Sequence, residues 1–270
     1  MDIHIGHNHS RMSSALLDTF FQVETTHWWW NGRKAILSSL LDMYLRGNKN
    51  VILDAGCGTG ANILFLEKYG KVSGVDISSV ATNFCRKRGI KNVKTGDISD
   101  LPYKSNSFDA VCLMDVLEHI EDEKVAIEEI FRVLKPKGKL LLTVPALPFI
   151  YSQHDREQGH FKRYTKKGLR TLFENTDFRE LTINYFNMLL SPPIIVIRLL
   201  SRLKTFSKLA DFDAKLNFDI HRVSPVNNLL SKIFSIERHL VMQFALPFGV
   251  SLLALYEKPK RSKDIVKRKY

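Results

Sequence analysis

Val51-Ile52-Leu53-Asp54-Ala55-Gly56-Cys57-Gly58-Thr59-Gly60 runs from an apolar segment into three alternating glycines. The apolar part reads as a short buried strand, and residues 61–69 carry the apolar spacing of a helix. Glycine lacks a Cβ, so it takes positive φ and lets a ligand lie against the backbone. Strand, glycine turn and helix N-terminus together form an edge suited to a nucleotide.

Working outward, the strand–helix alternation continues from 50 to 144. Further strands are expected at 71–76, 92–95, 108–114 and 139–144, with helices at 78–88 and 123–134. The near-continuous apolar run Phe108-Asp109-Ala110-Val111-Cys112-Leu113-Met114 suits a sheet covered on both faces. This pattern predicts an α/β, doubly wound, mostly parallel sheet. Carboxylates follow the strands in order: Asp54, Asp76, Asp97 and Asp115. In a parallel sheet those strand ends share one edge, where ligands bind at the topological switch point. Asp76 stands where a carboxylate accepts from both ribose hydroxyls. Asp97 can accept from an adenine amino group, with Ile77 and Ile98 on either face of the ring. A dinucleotide site would favour G-x-G-x-x-G, with a pyrophosphate on the helix N-terminus. Here the spacing is G-x-G-x-G. Asp54 would repel a pyrophosphate and suits the ammonium of a methionine moiety.

These stations, with Gly74-Val75-Asp76-Ile77-Ser78, Gly96-Asp97, Leu101-Pro102, Ser107-Phe108-Asp109 and Leu134-Lys135-Pro136-Lys137-Gly138, resemble class I S-adenosylmethionine-dependent methyltransferases. The resemblance covers residues 50–145. It implies a seven-stranded Rossmann-like sheet whose last strand is antiparallel, the final two strands coming from 180–186 and 249–256. It also implies S-adenosylmethionine as cofactor. Asp54, Gly56, Gly58 and Gly60 would surround its methionine part, Asp76 its ribose, Asp97 its adenine with Ile77 and Ile98 on either face, and Met114 would line the same pocket.

For the methyl acceptor there are two candidate segments. Asp115-Val116-Leu117-Glu118-His119-Ile120 follows the fourth strand, and His119 is its best-placed general base. Spacings of three and four residues put Asp115, Glu118 and His119 on one helical face. The trio resembles the metal-binding set of some quinone-precursor O-methyltransferases. A helix N-terminus with favourable acids and a packing histidine fits the pattern as well. No metal is assigned on this pattern. The second segment, residues 152–165, follows the fifth strand and reads as a polar loop too charged for a core. It resembles the H-D-x-x-x-G-H-x-x-R-Y-T loop of a bacterial methyltransferase group linked to cell-envelope or sugar metabolism. His154 and His160 join His119 as catalytic candidates, and Asp155, Arg163 and Tyr164 as acceptor-binding ones. Arg163 is expected to fork onto a phosphate or carboxylate.

The 270 residues carry a net charge of +12, unevenly placed. Residues 1–150 hold 18 basic and 17 acidic groups, 151–257 hold 15 and 10, and 258–270 hold 7 and 1. The basic character therefore belongs to the second half, which suggests an anionic partner. Laid on a helix, residues 194–209 put Val196, Leu199, Leu200, Leu203 and Phe206 on one face, with Arg198, Arg202, Lys204 and Lys208 opposite. That is the form of an interfacial membrane helix and equally of a cap helix. With the basic tail it suggests contact with a membrane surface and a small or lipid-linked acceptor. Nucleic acid is not favoured, since aromatics are not interleaved with the charges. Residues 240–256 are too interrupted to span a bilayer. His27-Trp28-Trp29-Trp30-Asn31-Gly32-Arg33, set between two expected helices, reads as a packing cap or as a wall of the ligand pocket.

The organisation expected is a helical lead-in (1–48), a cofactor-binding core (49–187), a helical insertion (188–240), the last core strand (241–257) and a tail (258–270). The polar, His-rich start is not a signal peptide. Cys57, Cys85 and Cys112 fit no metal or redox spacing, which suggests reduced thiols in the cytoplasm, or at the inner face of its membrane. The reading is a methyltransferase acting by in-line displacement, most simply on oxygen. The alternative is a peripheral membrane or assembly protein that binds the cofactor without turnover.

Overall fold

The computed structural model describes residues 12–201 and 224–260. The N-terminal histidines and most of the tail lie outside them, as do residues 202–223, including Arg202, Lys204 and Lys208.

Seven strands form one sheet: β1 (Asn50–Ala55), β2 (Gly70–Asp76), β3 (Val93–Thr95), β4 (Phe108–Met114), β5 (Leu134–Pro145), β6 (Arg179–Phe186) and β7 (Ser251–Glu257). Their order is β3-β2-β1-β4-β5-β7-β6. All neighbouring pairs are parallel except those that β7 makes with β5 and β6. The antiparallel strand and the source of the final two strands match the sequence expectation. Chain order reverses between β1 and β4, so the switch point lies at Gly56 and Asp115.

Period-two alternation explains why both faces are covered. Leu53, Val111, Leu140 and Leu142 face α5 (Glu123–Val133) and α7 (Lys166–Phe173). Ile52, Cys112, Leu141 and Leu253 face the opposite cluster, which contains α2 (Trp28–Tyr44) and α9 (Ser224–Gln243). The smaller helices are α1 (Ser14–Val23), α3 (Ala61–Leu66), α4 (Ser79–Lys87), α6 (Gln153–Glu157) and α8 (Ser191–Leu200).

The tryptophans do not sit between two helices, as expected; they form the first turn of α2, capped by the His27 side chain. Trp28 is buried, packs edge-on against Phe234 of α9, and its N–H donates to Asn227 Oδ1 at 2.8 Å. Gly32 allows this approach, since a Cβ there would stand 2.1 Å from the Phe234 ring. Glycine within a helix costs roughly 1 kcal/mol relative to alanine, and here it admits the neighbouring helix.

Two premises of the membrane expectation change. Arg198 on α8 is buried and turned inward, while Val196 and Leu199 of that helix are exposed. Antiparallel β7 pairs Ser251 with Pro145 and Glu257 with Lys139. The chain therefore leaves the sheet at the edge opposite the glycine turn, where Lys258 Nζ donates to Leu134 O at 2.7 Å. The insertion and the tail start from opposite ends of the sheet. Among the described residues no helix is long and apolar enough to cross a membrane.

Candidate active site

At the switch point the turn after β1 folds onto the end of β2. Gly56 N and Cys57 N both donate to Val75 O, at 2.8 and 3.0 Å. Gly56 has φ +75°, and a Cβ on it would meet Val116 at 2.5 Å, so both backbone and space require glycine. Gly58 has φ +53°, and a Cβ there would meet nothing within 4 Å; the turn is open toward the cavity at that point. Gly60, with φ +95°, caps α3 and does not line the cavity. Asp76 accepts from Gly58 N at 2.9 Å and from Ser78 N at 2.8 Å, which fixes its carboxylate at the cavity wall. Asp97 accepts from Ser99 N at 2.7 Å. Ile77, Asp97, Ile98 and Met114 line the same cavity, whose volume is about 290 Å³.

Asp54 lies under this turn, fully buried, and neither carboxylate oxygen has a hydrogen-bond partner. Burial pushes its carboxyl up to about 7, against the pull of Arg33. Asp54 does not itself line the cavity, but an orphan carboxylate beneath a glycine turn suits an ammonium group held on that turn. The residues present therefore suit the methionine end of S-adenosylmethionine, as Asp76 suits its ribose.

Arg33 links the two sides of the cavity. It is buried on α2, ion-paired with Asp115, bonded to Asn62 Oδ1 at 3.1 Å, and stacked 4.5 Å over Trp29. Trp29 and Trp30 line the cavity, so this segment is both a packing cap and a pocket wall.

The acceptor side differs from its sequence reading. Asp115 has φ +59°, and Leu117–His119 form a 3-10 turn rather than an α-helical face. Asp115 is committed to Arg33, so it does not join Glu118 and His119 in a trio. His160 does: ligand atoms of Glu118, His119 and His160 lie within 4.8 Å of one another. Residues 152–165 are only in part an exposed polar loop: Gln153, Arg156, Glu157, Phe161, Lys162 and Thr165 are exposed, while Ser152, Asp155, Arg163 and Tyr164 are buried. Tyr164 N donates to Pro145 O and Phe161 N to Glu118 O, each at 2.8 Å, which seals the loop over the edge. Charged side chains can be buried here because they are paired. Asp155, fully buried, accepts from Ser152 N (2.8 Å), His160 Nδ1 (3.1 Å), Arg163 Nε (2.8 Å) and Arg198 Nη1 (3.3 Å). Burial alone would raise its carboxyl; the His160 bond and the Arg163 and Arg198 charges outweigh that and hold it well below the usual range.

Arg163 lines the cavity, but its nitrogens are engaged within the protein rather than free to fork onto an acceptor. Its Nε and Nη2 hold Asp155 and its Nη1 donates to Ala146 O. Tyr164 bonds Glu123, and neither Tyr164 nor Asp155 lines the cavity. His119, His154 and His160 all do. Burial and the neighbouring His160 lower His119 to about 4, and burial with Arg198 lowers His154 to about 3, so both imidazoles are neutral near pH 7. Glu118 is fully buried with both oxygens unbonded, and burial, then the Asp115 charge, push its carboxyl well up.

Sequence reasoning missed Arg198, Gln158, Asn62 and Asn187 as cavity residues. Nothing local marks them. Arg198 looked like one charge on a basic helical face, and only its pairing with Asp155, 43 residues away, reveals its place.

Residues 53–142 match the methyltransferase domain family. Demethylmenaquinone methyltransferase of Staphylococcus aureus is 30% identical over 168 residues, which cover 50% of this chain and 70% of that one. A tRNA (carboxymethyluridine(34)-5-O)-methyltransferase of Arabidopsis thaliana is 42% identical over 98 residues, 35% of this chain; the match spans only 24% of that relative's length. Among solved structures, phosphoethanolamine N-methyltransferase 2 of Haemonchus contortus, in complex with S-adenosyl-L-methionine, superposes with a TM-score of 0.54 at 19% identity, covering 83% of this chain and 52% of that one. At that identity the likeness speaks for the fold alone. With the ordered glycine turn and aspartates at the switch point, these matches establish that the chain belongs to the class I S-adenosylmethionine-dependent methyltransferases.

Proposed function

We propose that this chain transfers the methyl group of S-adenosylmethionine to a hydroxyl oxygen of a small-molecule acceptor. One observation carries the reading. The cofactor-type edge and the Glu118–His119–His160 cluster wall a single cavity. When bound, S-adenosylmethionine supplies an electrophilic methyl group on a sulfonium. The chain has to align the acceptor with that methyl, exclude water and draw off the acceptor's proton.

Each task has residues suited to it. Asp54, Gly58, Asp76 and Asp97 hold the cofactor, with Ile77, Ile98 and Met114 against it. The partly buried aromatic wall of α2 and the loop 152–165 keep water out. The proton is drawn off at the Glu118–His119–His160 cluster, in which Asp155 orients His160 through Nδ1. An oxygen acceptor is favoured because a neutral amine is nucleophilic enough to attack before it loses a proton, whereas a neutral hydroxyl needs its proton drawn off by such a cluster.

The test is transfer of labelled methyl groups from S-adenosylmethionine into fractionated host extract, with titration calorimetry of the cofactor. Label in a small-molecule fraction, and cofactor binding clearly weakened by Asp76→Ala, is the expected result. Binding without transfer into any fraction would favour a non-catalytic role.

A further inference from the structure

The cluster at the acceptor wall has a construction that proton uptake alone does not account for. His119 Nδ1 lies 3.1 Å from the carbonyl oxygen of Gly159, and His160 Nδ1 lies 3.1 Å from Asp155 Oδ1. In both rings the nitrogen that would carry the proton is therefore turned away from the cavity onto an oxygen. That leaves both Nε2 atoms as lone-pair donors toward one point. His119 Nε2 is buried with no partner, and the rings meet edge to face at 4.9 Å between centroids. The Glu118 carboxylate completes the set, with both oxygens buried and unbonded, and His160 Nε2 3.9 Å away. A buried carboxylate without partners is costly, and two imidazoles held by backbone carbonyl and carboxylate are the usual outer shell of a metal site.

We infer that Glu118, His119 Nε2 and His160 Nε2 bind one divalent transition-metal ion, of which Zn²⁺ is the best match, leaving a coordination position open to the cavity. Two imidazoles and a carboxylate are a recurrent three-ligand set for zinc with an open fourth position. The set differs from the one that chain spacing suggested. Asp115 is excluded by its ion pair with Arg33, and the third ligand comes from 41 residues further along the chain. The sealed loop explains the assembly: Phe161 N bonded to Glu118 O carries His160 to the 3-10 turn. A cation at this point would acidify a bound acceptor hydroxyl. The inference rests on the proposed function only for that consequence; the site itself stands on the geometry of the cluster.

The test uses the full chain, purified without chelator. Metal content is measured by plasma mass spectrometry. Chelator-stripped protein is then titrated with Zn²⁺ against a chromophoric chelator, and with Co²⁺ for its visible ligand-field spectrum. About one zinc per chain is expected, with a cobalt band typical of low coordination number. Glu118→Gln, His119→Gln and His160→Gln should each weaken zinc binding by at least about tenfold and alter the cobalt spectrum. Asp115→Asn should leave both unchanged. A variant with His4, His7 and His9 replaced by alanine should also keep its zinc, which removes the N-terminus as the source. Retained S-adenosylmethionine affinity shows that each variant is folded. Uptake below about a tenth of an equivalent at micromolar zinc overturns the inference, as does zinc binding that survives all three glutamine variants. Methyl transfer by metal-free protein would overturn the ion's role in acidifying the acceptor while leaving the proposed function intact. Zinc bound in the cluster without methyl transfer would overturn the proposed function while leaving the site intact.

Discussion

The groups on the proposed cofactor side of the cavity come, apart from Met114, from residues 56–98, a single stretch of strand ends and turns. Those facing them come from residues 118–119, 154–163, 187 and 198, drawn from four segments. On the first side, backbone geometry does much of the work: Gly56 and Gly58 hold positive φ, and backbone N–H groups fix Asp76. On the second, side chains hold one another: Asp155 gathers His160, Arg163 and Arg198 into one buried network. A site made of backbone repeats its sequence wherever it occurs. A site made of side-chain networks can be assembled from many sequences, so it leaves little local trace.

If the two sides do separate tasks, they should fail separately. The largest effect is expected for His160→Ala. Its kcat should fall by about 10²–10³, the range for removing a group that handles a proton, with the cofactor Kd unchanged. Calorimetry and single-turnover transfer measure the two quantities, and a comparable loss of cofactor affinity would break the division. Next comes Asp76→Ala, which should weaken S-adenosylmethionine by roughly 30- to 100-fold, as for loss of two charge-assisted hydrogen bonds. Zinc affinity of the acceptor cluster should not move with it.

A pH titration sharpens the comparison from the cofactor side. Asp54 titrates near 7 when the turn is empty, and a bound ammonium would stabilise its ionised form. Binding then releases a proton below pH 7, so affinity should rise as pH increases and level off above it. The gain between pH 6 and 8 is about tenfold, and Asp54→Asn should flatten the profile. The same group has a stability signature of its own. Its folded value is raised above the usual carboxylate range, so without cofactor it makes the protein less stable as pH rises from about 4 to 7. A shallower fall in Tm for Asp54→Asn over that range checks the sign. The smallest effect is expected for Arg198→Met, which removes one of several partners of Asp155. Acceptor KM should rise roughly three- to fivefold, about 1 kcal/mol or less, with cofactor Kd unaltered. A change in cofactor Kd instead would tie α8 to the cofactor side.

How far the chain could be read follows the same line. The antiparallel β7 is implied only by the family resemblance, whereas the sheet and the edge that carries the cavity follow from alternating strand and helix patterns, because hydrophobic periodicity is set residue by residue. The same is true of the aspartates at strand ends. The misreadings fall where partners are remote. Residues 152–165 looked too charged for a core because charge alone is visible in a sequence and pairing is not. Arg198 looked solvent-facing because helical periodicity gives opposite faces without saying which one meets the protein. Cys57 and Cys85, 28 residues apart, looked unrelated, yet their sulfurs lie 3.9 Å apart where α4 packs under the turn.

By itself, the sequence determined the doubly wound sheet, the switch-point edge and the order of Asp54, Gly56, Gly58, Asp76 and Asp97 along that edge. Each of these depends on local backbone conformation or on strand order. Only the tertiary structure decided that Asp115 pairs with Arg33, that Asp155 and Arg163 form a frame, and that Glu118, His119 and His160 meet. Those outcomes depend on which buried charges and orphaned polar atoms come within bonding distance, and distance across a fold is not written in spacing along a chain.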